Sequence, residues 1–96
     1  MNMPKVNKCD VLECAYNRSN SCHALAITVG DIEDEVPRCD TFCRSSIRGG
    51  EATSVASVGA CKVDLCKFNK LLECTAPGIS VGYRGSDVDC LTFSAR

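Results

Sequence analysis

The chain has 96 residues, nine of them cysteine and none tryptophan, and its formal net charge is −1 at pH 7. A charge this close to zero disfavours binding to a phosphate backbone. No segment approaches the roughly 18 consecutive apolar residues that span a membrane. We therefore expect neither nucleic acid nor a membrane as a partner.

The N-terminal segment, MNMPKVNKCDVLEC, contains no apolar run of signal-peptide length. This predicts a cytoplasmic protein, with the forespore or the spore as the alternative location. Cytoplasmic thiols are kept reduced, so a cysteine pattern there is more often metal-binding than cross-linked. A spore layer is oxidising and needs no signal peptide to be reached, so cross-linking remains the alternative.

Two segments of the chain repeat one cysteine pattern. The first, from Cys9 to Gly30, reads CDVLECAYNRSNSCHALAITVG, and the second, from Cys61 to Gly82, reads CKVDLCKFNKLLECTAPGISVG. Each continues to a fourth cysteine, giving the form C-x4-C-x7-C-x15/16-C-x-T-F. A repeat of this length predicts two homologous units. Their predicted bounds are 6–43 and 58–94, joined by a linker at 44–57 that is rich in Ser, Gly and Ala.

Each unit is predicted to be a cysteine-bearing loop followed by a short β-hairpin. Alternating apolar residues over 25–29 and 79–83 predict the first strand, and residues 39–42 and 90–93 predict the second. Residues 62–73 also fit a helix, but their counterpart in the first unit does not, so a loop with at most one helical turn is expected. The predicted fold class is a small, metal-stabilised, cysteine-rich protein of two tandem units with little regular secondary structure.

The four cysteines of each unit form a ligand set for zinc. Four thiolates bind Zn²⁺ tetrahedrally, and a structural zinc ion contributes folding free energy directly. Units of under about 50 residues usually need such a staple, because they bury too little apolar surface. We predict two zinc ions per chain, bound independently. The ligands are Cys9, Cys14, Cys22 and Cys39 in the first unit, and Cys61, Cys66, Cys74 and Cys90 in the second.

Other cysteine chemistry fits the same count. Two disulfides per unit are the main rival, with three possible connectivities. An iron–sulfur centre is less favoured, because the short Cys-x2-Cys spacing is absent. The only histidine, His23, is matched by Thr75 in the second unit, so it is not expected to be a ligand. Cys43 is matched by Ser94 and is expected to be a free thiol.

The repeated sequence C-x-V-x-x-C-x-[YF]-N-x4-C-x-A-x-x-I-x-V-G, followed by C-x-T-F, resembles the small cysteine-rich domain of domain-of-unknown-function family 1540. Two copies fit, at about Val6–Phe42 and Val58–Phe93. That family occurs mainly in spore-forming Gram-positive bacteria, so the resemblance implies a bacterial host and a link to sporulation. It implies no activity, since none is assigned to the family. The second copy departs from the first at Pro77-Gly78.

Catalysis is not expected, because both predicted sites have four protein ligands and no open position for a substrate. The sequence instead predicts a non-catalytic zinc-binding module that mediates a protein interaction or self-association. The alternative is a disulfide-cross-linked structural protein of a spore layer, in which Cys43 joins chains. Metal buffering is less favoured, because four ligands per ion is the stoichiometry of a structural site.

Self-association is predicted from the hairpins. A two-stranded hairpin leaves its strand edges unpaired and is marginal in water. The hairpins of one chain can pair with each other, or they can pair between chains in a homodimer. Leu71 and Leu72 replace the polar Ser19 and Asn20 of the first unit, which favours a homodimer through the second unit.

Overall fold

The computed structural model describes residues 3–30 and 36–96, and within them the regular structure consists of β-strands without any helix. Short apolar alternations bounded by turns favour strands over helices, as the sequence predicts. No part of these described ranges forms a helix that could cross a membrane. The strands are β1 (Lys5–Cys9), β2 (Asn17–Arg18), β3 (Ser21–Cys22), β4 (Ala26–Val29), β5 (Ser57–Cys61), β6 (Asn69–Lys70), β7 (Glu73–Cys74), β8 (Gly78–Arg84) and β9 (Asp87–Cys90).

Five strands form one sheet in the order β4-β5-β1-β8-β9. Its centre is the antiparallel pair of β1 and β5, in which Lys5 lies opposite Ser57. The Val6 N–H donates to the carbonyl of Ala56, and the Val58 N–H donates to the carbonyl of Pro4, both at 2.9 Å. Val6 and Val58 are equivalent positions of the repeat, so the two units are related by an approximate two-fold axis through this pair.

The units exchange strands across this axis. β1 of the first unit pairs in parallel with β8 of the second, and β5 of the second unit pairs in parallel with β4 of the first. Each parallel pair contains one bulge. In the pair of β1 and β8 it lies between Val6 and Lys8, and in the pair of β4 and β5 the register shifts between Ile27 and Thr28. The two predicted units therefore share one sheet and do not fold as separate hairpins.

The hairpin predicted in the second unit is present, but its second strand is shifted. β8 and β9 pair antiparallel through a tight turn, in which Arg84 lies opposite Asp87 and Gly85 has φ of 64°. β9 ends at Cys90, where the chain turns so that the Phe93 N–H donates to the carbonyl of Cys90 at 3.3 Å, and the predicted strand at 90–93 is wrong. In the first unit a bridge joins Val29 to Cys39, and residues 31–35 between them lie outside the described residues.

Residues 37–39 connect the two ends of the sheet. The Cys39 N–H donates to the carbonyl of Val88 at 2.8 Å, and the Cys90 N–H donates to the carbonyl of Pro37 at 2.7 Å. Cys39 also bridges to Val29 in β4. The ladder thus returns to its own first strand, so the strand edges that were expected to be unpaired are paired in the described chain.

The core is a single cluster to which both units contribute equally. Its largest fully buried side chains are equivalent pairs from the repeat: Val6 and Val58, Val11 and Val63, and Ile27 and Ile79. The aromatic residues of the repeat pack against this cluster but remain partly exposed. Burial of valine and isoleucine from both units therefore stabilises the sheet as one body.

The predicted linker lies along the first unit. The Gly49 N–H donates to the carbonyl of Ala15 at 2.8 Å, and the Glu51 N–H donates to the carbonyl of His23 at 2.9 Å. Gly50 has φ of 82°, and a Cβ there would collide with the His23 carbonyl. Glycine is therefore required where the linker passes His23.

Candidate functional site

The four predicted ligands of each unit surround one small cavity. The first centre encloses about 10 Å³ and the second about 20 Å³. A space of this size holds about one water-sized sphere. The first centre is lined by Cys9, Cys14, Cys22 and Cys39, and the second by Cys61, Cys66, Cys74 and Cys90.

All nine cysteines lie in the described part of the chain, and each is a free thiol there. Seven of the eight cysteines in the centres are buried, and Cys74 is half-buried. Among the described residues, however, no group of three or more His, Cys, Asp or Glu side chains is arranged so that it could hold a metal ion. The predicted ligands therefore lie together around each cavity, but in the described chain their side chains do not form a metal-binding arrangement.

The first two cysteines of each centre are joined by a tight loop. Cys9 ends β1, and the chain then turns so that the Cys14 N–H donates to the carbonyl of Val11 at 3.1 Å. Val11 is fully buried, which anchors the loop in the core. Cys66 and Val63 repeat this hydrogen bond at 3.1 Å. The repeated valine therefore positions the second cysteine beside the first.

A buried asparagine fixes the first cysteine of each centre to the small hairpin that carries the third. The Asn17 side chain donates to the carbonyl of Cys9 at 2.8 Å and accepts from the Asn20 N–H at 3.2 Å. Asn69 makes the same two contacts with Cys61 and Leu72, at 2.7 and 3.2 Å. Because a buried amide must be satisfied on both sides, asparagine is specifically suited to this position.

The third and fourth cysteines accept backbone hydrogen bonds from residues that follow them. A hydrogen bond to sulfur stabilises the thiolate and so lowers the pKa of the thiol. The donors are the N–H groups of Ala24 to Cys22, Thr41 to Cys39, Ala76 to Cys74, and Thr92 and Phe93 to Cys90. In both units, the residue two positions after the third and the fourth cysteine thus directs its N–H at the cysteine sulfur.

The threonine of the Cys-x-Thr-Phe sequence has a second contact. The Thr41 hydroxyl accepts from the Thr28 N–H in β4 at 3.1 Å. The Thr92 hydroxyl accepts in the same way from the Ser80 N–H in β8 at 3.0 Å. Each threonine thus holds the fourth cysteine against a strand of its own unit.

Burial has the largest effect on the pKa of the third and fourth cysteines of each centre. Desolvation raises the pKa of Cys39 to about 12 and that of Cys90 to about 11. The backbone N–H groups oppose this shift, and the neighbouring thiols of the same centre raise the pKa further. Burial also raises the pKa of Cys22 and Cys74. Burial thus favours the protonated thiol over the thiolate at these four positions.

Each centre is walled in part by the opposite unit. Val81 and Val88 of the second unit line the first centre. Val29 and Pro37 of the first unit line the second centre. Sequence reasoning missed these residues, because spacing within one unit carries no signal for strand exchange.

His23 and Cys43 lie apart from both cavities. The His23 Nδ1 is 3.2 Å from the carbonyl oxygen of Glu51, in the linker. Cys43 is exposed, and its carbonyl accepts from the Ala15 N–H at 2.7 Å. The two residues that were not assigned as ligands are therefore placed outside the centres.

Two strand-exchanged repeats around paired four-cysteine cavities define a small cysteine-rich β-protein. The chain belongs to the family described as Domain of Unknown Function (DUF1540), whose model matches residues 8–45 and 60–93. The two matches confirm the tandem arrangement inferred from the cysteine spacing. No curated protein and no solved structure shows detectable similarity to the chain.

Proposed function

We propose that the protein is a non-catalytic module in which each four-cysteine centre holds one zinc ion. The observation that carries this proposal is the convergence of four cysteines on one atom-sized cavity, twice in the same chain. Soft thiolate donors in a set of four are the ligands that Zn²⁺ prefers in structural sites. The backbone donors to Cys22 and Cys39 support thiolate ligands, as outer hydrogen bonds do around metal-bound sulfur.

Ion binding would require the cysteine side chains of each centre to reorient, because among the described residues they do not form a group that could hold a metal ion. Their thiols would also lose protons, and the positive charge of the ion would offset the cost of burying the thiolates. With four protein ligands no position is left for a substrate, so the ion would act structurally.

An interaction surface is the second part of the proposal. Leu71 is 89% exposed and Leu72 is 54% exposed, at the tip of the turn between β6 and β7. We propose that this tip contacts a protein partner or a second copy of the chain. The link to sporulation and the cytoplasmic or forespore location belong to the same proposal, and the family resemblance supports the link to sporulation.

Metal analysis combined with thiol counting tests the zinc proposal. Protein purified without reductant is expected to contain two zinc ions per chain, and all nine thiols should react once the chain is denatured with a chelator. In the alternative, a cross-linked protein of a spore layer, zinc is absent and most thiols are unreactive until a reductant is added. That second result would refute the zinc proposal.

A further inference from the structure

The first cysteine of each centre lies on a strand that is held by the opposite unit. Cys9 in β1 lies beside Val81 in β8, and Cys61 in β5 lies beside Val29 in β4. These two valines also line the centre of the cysteine that they accompany. The position of each first cysteine therefore depends on a strand from the other unit.

The fourth cysteine of each centre is tied across the axis in the same way. The Cys39 N–H donates to the carbonyl of Val88, and Val88 both lines the first centre and lies two residues before Cys90. In return, the Cys90 N–H donates to the carbonyl of Pro37, which lines the second centre and lies two residues before Cys39. Each of these hydrogen bonds thus ties a predicted ligand of one centre to a residue that comes from the opposite unit and lines the same centre.

We propose that the two centres bind their metal ions with positive cooperativity, because each is completed by residues of the opposite unit. This proposal rests on the proposed zinc function and replaces the independent binding expected from the sequence. Binding of an ion at one centre holds in place the strands and hydrogen bonds that also position the cysteines of the other centre, so the second ion binds to ligands that are already held. By reciprocity, either centre can act first.

The distribution of zinc on the full-length chain measures this coupling. Reduced, metal-free protein is titrated with Zn²⁺ in a competing chelator, and native mass spectrometry counts chains with zero, one and two ions. Uncoupled centres give a singly loaded fraction of at least about one half at its maximum, and unequal affinities only raise it. Tenfold coupling between equal centres reduces that fraction to about a quarter, and we expect a value at or below this.

Two single-centre variants give an independent readout. In Cys66→Ser the first centre keeps all four cysteines, and in Cys14→Ser the second centre does. We expect the intact centre of each variant to bind zinc at least about tenfold more weakly than in the wild type. Cys43→Ser is the matched control, because Cys43 is exposed and outside both cavities, and it should bind two ions as the wild type does.

The outcomes separate the two proposals. If both variants keep wild-type affinity at the intact centre, the cooperativity is refuted while the zinc proposal stands. If either variant fails to fold, the wild-type distribution decides, and a singly loaded fraction of one half or more refutes tenfold coupling between centres of similar affinity. If the wild type binds no zinc, the zinc proposal fails and the cooperativity falls with it.

Discussion

At the scale of single residues, each repeated position has a contact that accounts for it. Val11 anchors a loop, Asn17 joins two strands, and Thr41 both donates to a cysteine and accepts from a strand. The cysteine spacing is thus set by backbone hydrogen bonds around the cavity, while exposed positions between the cysteines differ freely. This explains why the two units share few residues besides these.

Replacing the buried asparagine of the second unit should destabilise the protein. Asn69→Ala leaves the Cys61 carbonyl and the Leu72 N–H without their partner, and an unsatisfied buried group costs about 1–3 kcal/mol. The midpoint of urea unfolding should fall accordingly. Lys70→Ala, at the exposed neighbouring position, serves as the control and should leave the midpoint nearly unchanged. An Asn69→Ala midpoint equal to that of the control would contradict the role given to this amide.

The stability of the metal-free protein should fall as pH rises from about 9 to about 12. Burial raises the pKa of Cys39 from 9.0 to about 12, so in that window the folded state holds a proton that the unfolded state has released. Stability is therefore fully present below the lower value and is lost as pH approaches the higher one. Urea unfolding under reductant and chelator, at several pH values, measures the slope.

Cys39→Ala removes one group with a raised pKa and should reduce the pH slope, and the raised pKa of Cys90 should sustain the remainder. Cys43→Ser should keep the full slope, since Cys43 is exposed. Equal slopes in these two variants would show that Cys39 does not cause the effect. Zinc reverses the sign, because binding displaces thiol protons and the affinity should rise with pH.

At the scale of elements, the apolar alternation predicts β4 and β8 correctly, and the four cysteines that the spacing assigns to each unit lie around one cavity. Two strands of the sheet are not predicted from the sequence. β1 and β5 pair with strands that lie far away in the chain, so no local pattern marks their pairing. Ser57, which pairs at the two-fold axis, falls in the predicted linker for the same reason. Strand exchange is a tertiary property that leaves no periodicity within one unit.

The turn between β6 and β7 is strained in a way that its counterpart is not. Leu71 and Leu72 have φ of 53° and 67°, and Ser19 and Asn20 have nearly the same angles, 54° and 65°. Two residues with positive φ form a type I′ hairpin turn, which favours asparagine and glycine. Leucine is disfavoured there, because a left-handed conformation costs about 1–2 kcal/mol per residue.

Relieving this strain should stabilise the fold. The double variant Leu71→Asn/Leu72→Gly should raise the unfolding free energy by about 1–2 kcal/mol, measured by urea unfolding of the zinc-loaded protein. Ser19→Asn/Asn20→Gly is the matched control and should gain less, since Asn20 already tolerates a positive φ. A gain no larger in the second unit than in the first would show that the leucines carry no strain.

At the scale of the whole molecule, strand exchange changes the basis on which self-association is proposed. The prediction from sequence rests on unpaired hairpin edges, yet residues 37–39 join β9 to β4 and pair those edges in the described chain. Within one chain, the two units already pair with each other through the shared sheet. The surface that we propose for a partner is the exposed Leu71-Leu72 tip, which has no apolar counterpart at Ser19-Asn20.

A homodimer through that tip is testable with a variant that the structure shows to be compatible with the fold. Leu71→Ser/Leu72→Asn gives the second turn the residues of the first, which already adopt the same φ angles. Sedimentation of the zinc-loaded wild type should show a dimer that forms with rising concentration, and the variant should remain monomeric. Leu25→Ser removes a 75% exposed leucine from the first unit and should dimerise as the wild type does. A wild type that stays monomeric at high concentration, or a variant that dimerises equally well, would remove the tip as a self-association surface and leave a different protein as its partner.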